Sequence, residues 1–190
     1  SRDGKNDYYF IIDEINRGNL GKIFGEAFTL IDKDYRGVPM KLANYDKPIV
    51  IPKNVYIIGL MNTADRSLAM LDFALRRRFQ FFTLEPAFED SQFKAYREKL
   101  KSEIFDNVID TIAKLNKEVI AKDPTLGKGF CIGHSYFCNQ KEIDEVWLKN
   151  VIEHEIIPML QEYWFDNEAK FNEQSEELRK ALIKQPHDER

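Results

Sequence analysis

Two short apolar runs, each ending in polar residues, constrain the fold of this chain more than any other feature. The first covers residues 8–12 (YYFII) and is followed directly by Asp13 and Glu14. The second covers residues 55–60 (VYIIGL) and leads into the polar cluster that begins at Asn62. Neither run alternates apolar with polar residues, so each predicts a strand buried on both faces, as in a parallel sheet.

The segments around these runs complete an alternating pattern over residues 1–88. Apolar side chains recur at helical spacing over residues 20–31, and a short helix is predicted over residues 68–77. A third strand is predicted at Phe79–Leu84. Residues 35–52, which contain Gly37 and three prolines, predict a loop or irregular hairpin. The order strand, helix, strand, helix, strand is typical of an α/β parallel sheet.

The second half, residues 89–190, has a different composition. Long charged stretches carry apolar residues at helical spacing, and a glycine-rich insert at residues 124–140 interrupts them. Helices are predicted to resume over residues 143–164, where Pro158 should kink or split the helix, and again over residues 171–183. We therefore expect an all-helical domain apart from the insert.

The polar residues after the two strands are candidates for phosphoryl-transfer chemistry. Ligands of open parallel sheets bind beyond the carboxyl ends of the strands. Asp13 would hold Mg²⁺ through water and Glu14 would orient the attacking water. Asn62 could hydrogen-bond both a terminal phosphate and that water without repelling either. The structural alternatives are an acidic turn that caps a helix and an ordinary Asn-containing turn.

Three consecutive arginines, Arg76, Arg77 and Arg78, end the short predicted helix. Cations at a helix C-terminus complement the dipole, and Asp72 lies one turn before Arg76, so a purely structural role is one interpretation. An arginine presented to a neighbouring subunit can instead stabilise charge on a transferring phosphoryl group. Arg77 or Arg78 is the preferred candidate for that role.

Three segments together resemble the AAA+ domain of the McrB family, the nucleotide-hydrolysing motor subunits of modification-dependent restriction systems. These segments are DEINRGNLGKIFGE, IIGLMNTADRSLAMLDFALRRRF and LGKGFCIGHSYF, and the resemblance extends from about Tyr8 to Phe165. It implies that Asp13 and Glu14 form the Walker B pair and that Asn62 is the sensor-1 residue. It also implies that Asp65 and Arg66 complete the family's signature loop.

The same resemblance implies an architecture and a function. The chain would be part of an AAA+ P-loop-type parallel sheet followed by a helical lid, with Arg77 or Arg78 as the arginine finger across a subunit boundary. The parent protein would be a homo-oligomeric ring that hydrolyses GTP or ATP with Mg²⁺ to drive a partner nuclease on DNA. Alternatives are a protein-remodelling AAA+ ATPase and a non-catalytic interaction module. The two cysteines give no disulfide framework, which separately suits a reducing cytoplasm.

Net charge and hydropathy limit what can be expected of contacts with DNA and with membranes. A net charge of −4 does not suggest a broad nucleic-acid-binding face, so we expect DNA to be contacted mainly by regions outside this chain. No apolar run is long enough to span a membrane.

The chain departs from the family pattern in two places. It contains no G-x-x-x-x-G-K-[ST] sequence, so we expect it to be a fragment that begins after the phosphate-binding loop, inactive alone, with unpaired sheet edges. It also has no arginine at an obvious sensor-2 position. His134 is the nearest polar candidate there, although local packing is the preferred interpretation.

Cys131, His134 and Cys138 invite comparison with a zinc site. Their spacing matches no common zinc finger, and partly buried thiols are the preferred interpretation.

Overall fold

A computed structural model of the chain describes residues 5–18, 20–43, 45–64 and 76–183. The chain divides into two compact units, Ser1–Thr83 and Leu84–Arg190. Within the described residues, no helix combines the length and the apolar character that a membrane crossing requires.

The first unit is built around two parallel strands. Strand β1 (Tyr8–Ile12) leads through a short helix α1 (Leu20–Phe24) into the 3₁₀ turns Gly25–Ile31 and Lys33–Tyr35, and strand β2 spans Val55–Gly59. The two strands pair in parallel, with Tyr8 opposite Val55 and Ile12 opposite Gly59. Strand, helix and strand therefore follow in the order predicted from the sequence.

The prediction that both strands are buried on both faces is wrong. Tyr9 and Ile11 are 63% and 61% exposed, and Tyr9 stacks on Tyr56 with ring centroids 5.3 Å apart. Successive side chains of a strand point to opposite faces, and burial of both faces needs a packed layer on each side of the sheet. In the described part of the first unit, Phe10 and Ile57 on the other face line an apolar cavity of about 260 Å³ together with residues of α1 and the turn after it.

The third predicted strand is also wrong. Residues 79–84 form no ladder with the rest of the described chain, and Phe82 and Leu84 are 84% and 93% exposed. A strand needs a neighbour to satisfy its backbone groups, and the described sheet consists of β1 and β2 alone.

Two other predicted elements of the first unit are modified. The helix predicted over residues 20–31 is α-helical only to Phe24, because Gly25 adopts a left-handed backbone (φ 49°) and the chain continues as a 3₁₀ turn. The irregular hairpin is present, since Met40 and Ile49 exchange two hydrogen bonds of 2.9 Å. The helix predicted over residues 68–77 lies mainly outside the described residues.

The second unit is helical, as predicted. Its elements are α2 (Ser91–Leu100), α3 (Glu103–Lys114) extended by a π-helical segment (Leu115–Ile120), the 3₁₀ turns Lys128–Phe130 and His134–Phe137, α4 (Glu145–Val151), a second π-helical segment (Ile152–Ile156), α5 (Ile157–Tyr163) and α6 (Glu168–Ala181). Pro158 lies in the first turn of α5, directly after the π-helical segment. The backbone stays helical across these elements, so the helix is not split at the proline but changes from π to α just before it.

Helix α3 supplies the centre of the second unit's core. Ser102 caps its N-terminus by accepting a hydrogen bond from the Phe105 N–H at 3.4 Å. The residues of its apolar face recur at helical spacing and are all buried: Ile104, Phe105, Val108, Ile109 and Ile112. Burial of this face orders the helix, because a helix of this length is marginal in water by itself.

The glycine-rich insert is fixed to the core by an asparagine. The side-chain amide of Asn116 donates to the Ile132 carbonyl at 2.9 Å, and its oxygen accepts from the Ile132 N–H at 2.7 Å. Asn116 is itself buried, and this pair of bonds satisfies backbone groups that an irregular segment otherwise leaves unpaired. These two bonds therefore hold the insert in a defined position although it is irregular.

The Asp123 carboxylate accepts hydrogen bonds from three residues of the second unit. It accepts hydrogen bonds from Lys170 Nζ at 2.7 Å and Trp164 Nε1 at 3.1 Å, and Thr125 donates two more. The Lys170 bond, followed by the Thr125 hydroxyl, holds the pKa of Asp123 well below its usual range. The charged form is therefore stabilised by folding.

We predict that Asp123→Asn lowers the free energy of unfolding by about 2–3 kcal/mol at neutral pH, because it leaves Lys170 without its anion. The folded-state pKa is lowered, so the stabilisation is present above the ordinary pKa of 3.8 and is lost as the pH falls below it. Urea unfolding followed by tryptophan fluorescence at several pH values measures both effects. Glu173→Gln, which removes an exposed charge from α6, is the control. Equal pH dependence in wild type and Asp123→Asn would contradict the prediction.

Candidate active site

The segments that follow the two strands lie side by side. The Leu60 N–H donates to the Ile12 carbonyl at 2.9 Å, and the Ile15 N–H donates to the Leu60 carbonyl at 2.9 Å. Beyond this ladder, the side-chain amide of Asn16 donates to the Asn62 carbonyl at 3.3 Å. The parallel pairing thus brings the Asp13–Glu14 segment next to the Asn62 segment at one edge of the sheet, as the sequence predicted.

A close contact between Ile15 and Gly59 fixes the separation of these segments. Ile15 is buried, and a Cβ atom added to Gly59 would lie 2.7 Å from its Cδ1 and 3.1 Å from its Cγ2. A side chain at position 59 would therefore force the buried Ile15 side chain to move. Sequence reasoning missed Ile15, although an apolar residue directly after an acidic pair is itself a signal that the loop turns back towards the sheet.

Glu14 has an unusual backbone. Its φ of 49° lies in the left-handed region, which costs a non-glycine residue about 1–2 kcal/mol. The Glu14 N–H donates to Asp13 Oδ1 at 2.9 Å, which helps to hold this conformation. The turn projects two adjacent carboxylates from the end of β1, and both residues are exposed.

The Glu14 carboxylate forms an ion pair with Arg17. Arg17 Nε lies 2.6 Å from Glu14 Oε2, and the Arg17 N–H donates to the Glu14 carbonyl at 2.8 Å. Arg17 was not among the residues singled out from the sequence. An arginine three residues after an acidic residue is a common pattern, and it carried no distinctive signal.

Asn62 is exposed, and one of the two polar groups of its side-chain amide already makes a hydrogen bond. Its Oδ1 accepts from the Ala64 N–H at 3.0 Å, which forms an Asn-type turn. Within the described residues its Nδ2 group makes no hydrogen bond. The group of Asn62 that remains for a ligand is therefore the amide donor, which suits a phosphate or water oxygen.

The three arginines have different surroundings. Arg78 is 19% exposed at its side chain, and its Nε lies 3.7 Å from Asp32 Oδ2. The Arg76 guanidinium lies 5.9 Å from the ring centroid of Phe81. Arg77 is exposed and, among the residues that the structure describes, forms neither an ion pair nor a hydrogen bond.

Three residues named from the sequence, Asp65, Arg66 and Asp72, fall outside the described residues.

His134 packs within the second unit. Its Nδ1 accepts a hydrogen bond from the Ala87 N–H at 3.1 Å, and its ring lies edge-on to Phe88 and Phe93. These contacts agree with the preferred interpretation of local packing.

The two cysteines are free thiols. Cys131 and Cys138 are half-buried, and burial raises the pKa of both. The part of the chain that the structure describes contains no group of three or more His, Cys, Asp or Glu side chains that could hold a metal ion.

The surroundings of Asp13 fit the usual protein contribution to a Mg²⁺ site. Mg²⁺ keeps several waters and binds through one or two carboxylates together with substrate phosphates, so a dedicated cage of protein ligands is not needed. Asp13 is an exposed carboxylate at a strand end with one oxygen already oriented by the Glu14 N–H. The second oxygen is the one that would face a hydrated cation.

Two family descriptions match the chain. Residues 1–79 match the AAA domain of the dynein-related subfamily, and residues 107–172 match the McrB alpha-helical lid domain. The order of these matches confirms the predicted fold class, a partial AAA+ sheet followed by a helical lid.

Two curated relatives are similar over most of the chain. The "Type IV methyl-directed restriction enzyme EcoKMcrB subunit" of Escherichia coli (strain K12) is 46% identical over 174 residues, which are 86% of this chain and 38% of that protein. The "Type II restriction enzyme BsuMI component YdiS" of Bacillus subtilis (strain 168) is 30% identical over 176 residues, which are 82% and 48%. The chain thus spans less than half the length of either relative.

We predict that Gly59→Ala destabilises the first unit by about 1–3 kcal/mol, because the new methyl group collides with the buried Ile15 side chain. Ile15→Val removes Cδ1, the atom nearest to the added Cβ, and should restore part of the loss in the double variant. Chemical unfolding of the four proteins in a double-mutant cycle gives the coupling energy. If the two substitutions change the free energy of unfolding additively, the coupling energy is zero and the contact is contradicted.

Proposed function

Because this chain belongs to the McrB family of AAA+ proteins, we propose that it provides the Mg²⁺-binding and water-activating residues for hydrolysis of GTP or ATP. One observation supports this proposal above the others: β1 and β2 pair in parallel, and their carboxyl ends bring Asp13 and Glu14 next to the Asn62 segment. This is the edge of an open sheet at which ligands bind.

Each residue has a role in the proposed reaction. Asp13 binds Mg²⁺ through water, and the cation, when bound, neutralises charge on the phosphates. Glu14 accepts a hydrogen bond from the attacking water, orients it for in-line attack on the terminal phosphorus and accepts its proton. The Asn62 Nδ2 group donates to the terminal phosphate or to that water. Asp65 and Arg66 complete the signature loop that follows Asn62.

Arg77 is the arginine that we assign to the neighbouring subunit's nucleotide. Arg78 is mostly covered and lies close to Asp32, so its charge is already partnered within the first unit. Arg77 is exposed, and within the described residues it forms no ion pair and no hydrogen bond. A side chain that reaches across a subunit boundary should have both properties. A guanidinium in that place stabilises the charge that develops on the transferring phosphoryl group.

The wider setting follows from the relatives. Both are components of restriction enzymes. We propose that the parent protein is a cytoplasmic motor subunit that assembles into a homo-oligomeric ring and drives a nuclease partner. DNA is contacted mainly by regions outside these residues, in keeping with the net charge of −4.

We predict that Glu14→Gln lowers kcat for nucleoside triphosphate hydrolysis by the full-length protein by about 10²–10⁴-fold, because the amide cannot accept the proton of the attacking water. Nucleotide binding should be nearly unchanged. Phosphate release with GTP and with ATP measures the rate, and a fluorescent analogue measures binding. Full activity in Glu14→Gln would overturn the proposed role.

We predict that Arg77→Ala lowers kcat by about a thousandfold or more, and that mixing it with Glu14→Gln restores part of the activity. A mixed ring contains interfaces that combine an intact Glu14 from one subunit with an intact Arg77 from the next. Arg78→Ala is the matched variant, and it should lower the melting temperature because it removes the partner of Asp32. If the mixture stays as inactive as its components, Arg77 does not act across a boundary.

A further inference from the structure

We propose that Arg17 is a positioning residue for this hydrolysis: its guanidinium holds the Glu14 carboxylate within the loop after β1, and turnover requires the carboxylate to exchange Arg17 for the attacking water. The inference rests on the proposed function, since it concerns the residue assigned to orient that water. Arg17 thereby sets how often Glu14 is available.

The geometry of the contact supports this restraint. Arg17 Nε lies 2.6 Å from Glu14 Oε2, which is a close ion pair. The Arg17 N–H also donates to the Glu14 carbonyl at 2.8 Å, so a backbone turn brings the two side chains together. Within the described residues, the carboxylate is therefore held from its own loop.

The backbone around Glu14 leaves the side chain as the part that can move. The Glu14 N–H is bonded to Asp13 Oδ1, and the Ile15 N–H to the Leu60 carbonyl. The side-chain amide of Asn16 donates to the Asn62 carbonyl. Three consecutive residues are thus anchored, and release of the carboxylate needs only a change of side-chain rotamer.

The exposure of the Arg17–Glu14 ion pair determines how strongly Arg17 can slow hydrolysis. The side chains of Arg17 and Glu14 are 56% and 48% exposed, so water and salt screen their attraction. Measured exposed ion pairs correspond to a bias of about two- to five-fold between the paired and the open state. Such a bias is strong enough to slow turnover measurably and weak enough to be broken in every cycle.

Steady-state hydrolysis by the full-length protein with Mg²⁺ tests the proposal. Arg17→Ala should raise kcat about three- to six-fold with KM unchanged, because the open fraction of Glu14 rises to one, and Arg17→Lys should lie between it and wild type. The wild-type kcat should rise with potassium chloride concentration, and the kcat of Arg17→Ala should rise less. Lys33→Ala, which removes an exposed cation from the same unit, should match wild type in both respects.

The double variant Glu14→Gln/Arg17→Ala tests whether the rise in kcat comes from release of the Glu14 carboxylate. It should be as inactive as Glu14→Gln, because Arg17 acts through the Glu14 carboxylate. A kcat that is unchanged or lower in Arg17→Ala, while Glu14→Gln is inactive, overturns the role of Arg17 and leaves the proposed function standing. Wild-type activity in Glu14→Gln overturns the proposed function itself and the inference with it.

Discussion

The parallel pairing of β1 (Tyr8–Ile12) with β2 (Val55–Gly59) is the interaction on which the candidate site depends. Because Ile12 lies opposite Gly59, the residues after both strands leave the sheet at the same edge. A shift of the register by one residue would reverse the faces of every side chain and move Asn62 away from the acidic pair. The Ile15–Gly59 contact opposes such a shift, since a bulkier residue at position 59 would not fit.

The second unit is stabilised in a different way, by a continuous apolar core together with a few hydrogen-bonded polar side chains. Asn116 binds both backbone groups of Ile132, and Asp123 accepts from Lys170 and Trp164. Polar groups of this kind fix a unique arrangement because a lost partner leaves a buried group unpaired. The glycine-rich insert therefore has a defined conformation although it contains little regular structure.

The sequence predicted the features that depend on local pattern. The two apolar runs identified the strands, and the polar residues after them identified Asp13, Glu14 and Asn62 as neighbours. Properties that depend on partners in space were not predictable: the exposure of Tyr9, the unpaired stretch at residues 79–84 and the ion pair of Glu14 with Arg17. Arg77 and Arg78 were equivalent in the sequence, and their different exposure and the proximity of Arg78 to Asp32 separate them.

We propose that the residues after β1 and β2 form the water-activating half of a nucleotide-hydrolysis site. The most direct measurement is an experimental structure of the full-length oligomer with Mg²⁺ and a nucleoside diphosphate–aluminium fluoride complex, which mimics the transferring phosphoryl group. We predict that Glu14 contacts the attacking water, that Asn62 contacts the fluoride group or that water, and that Arg77 reaches the same group from the next subunit. A nucleotide whose terminal group lies away from both strand ends would contradict the account.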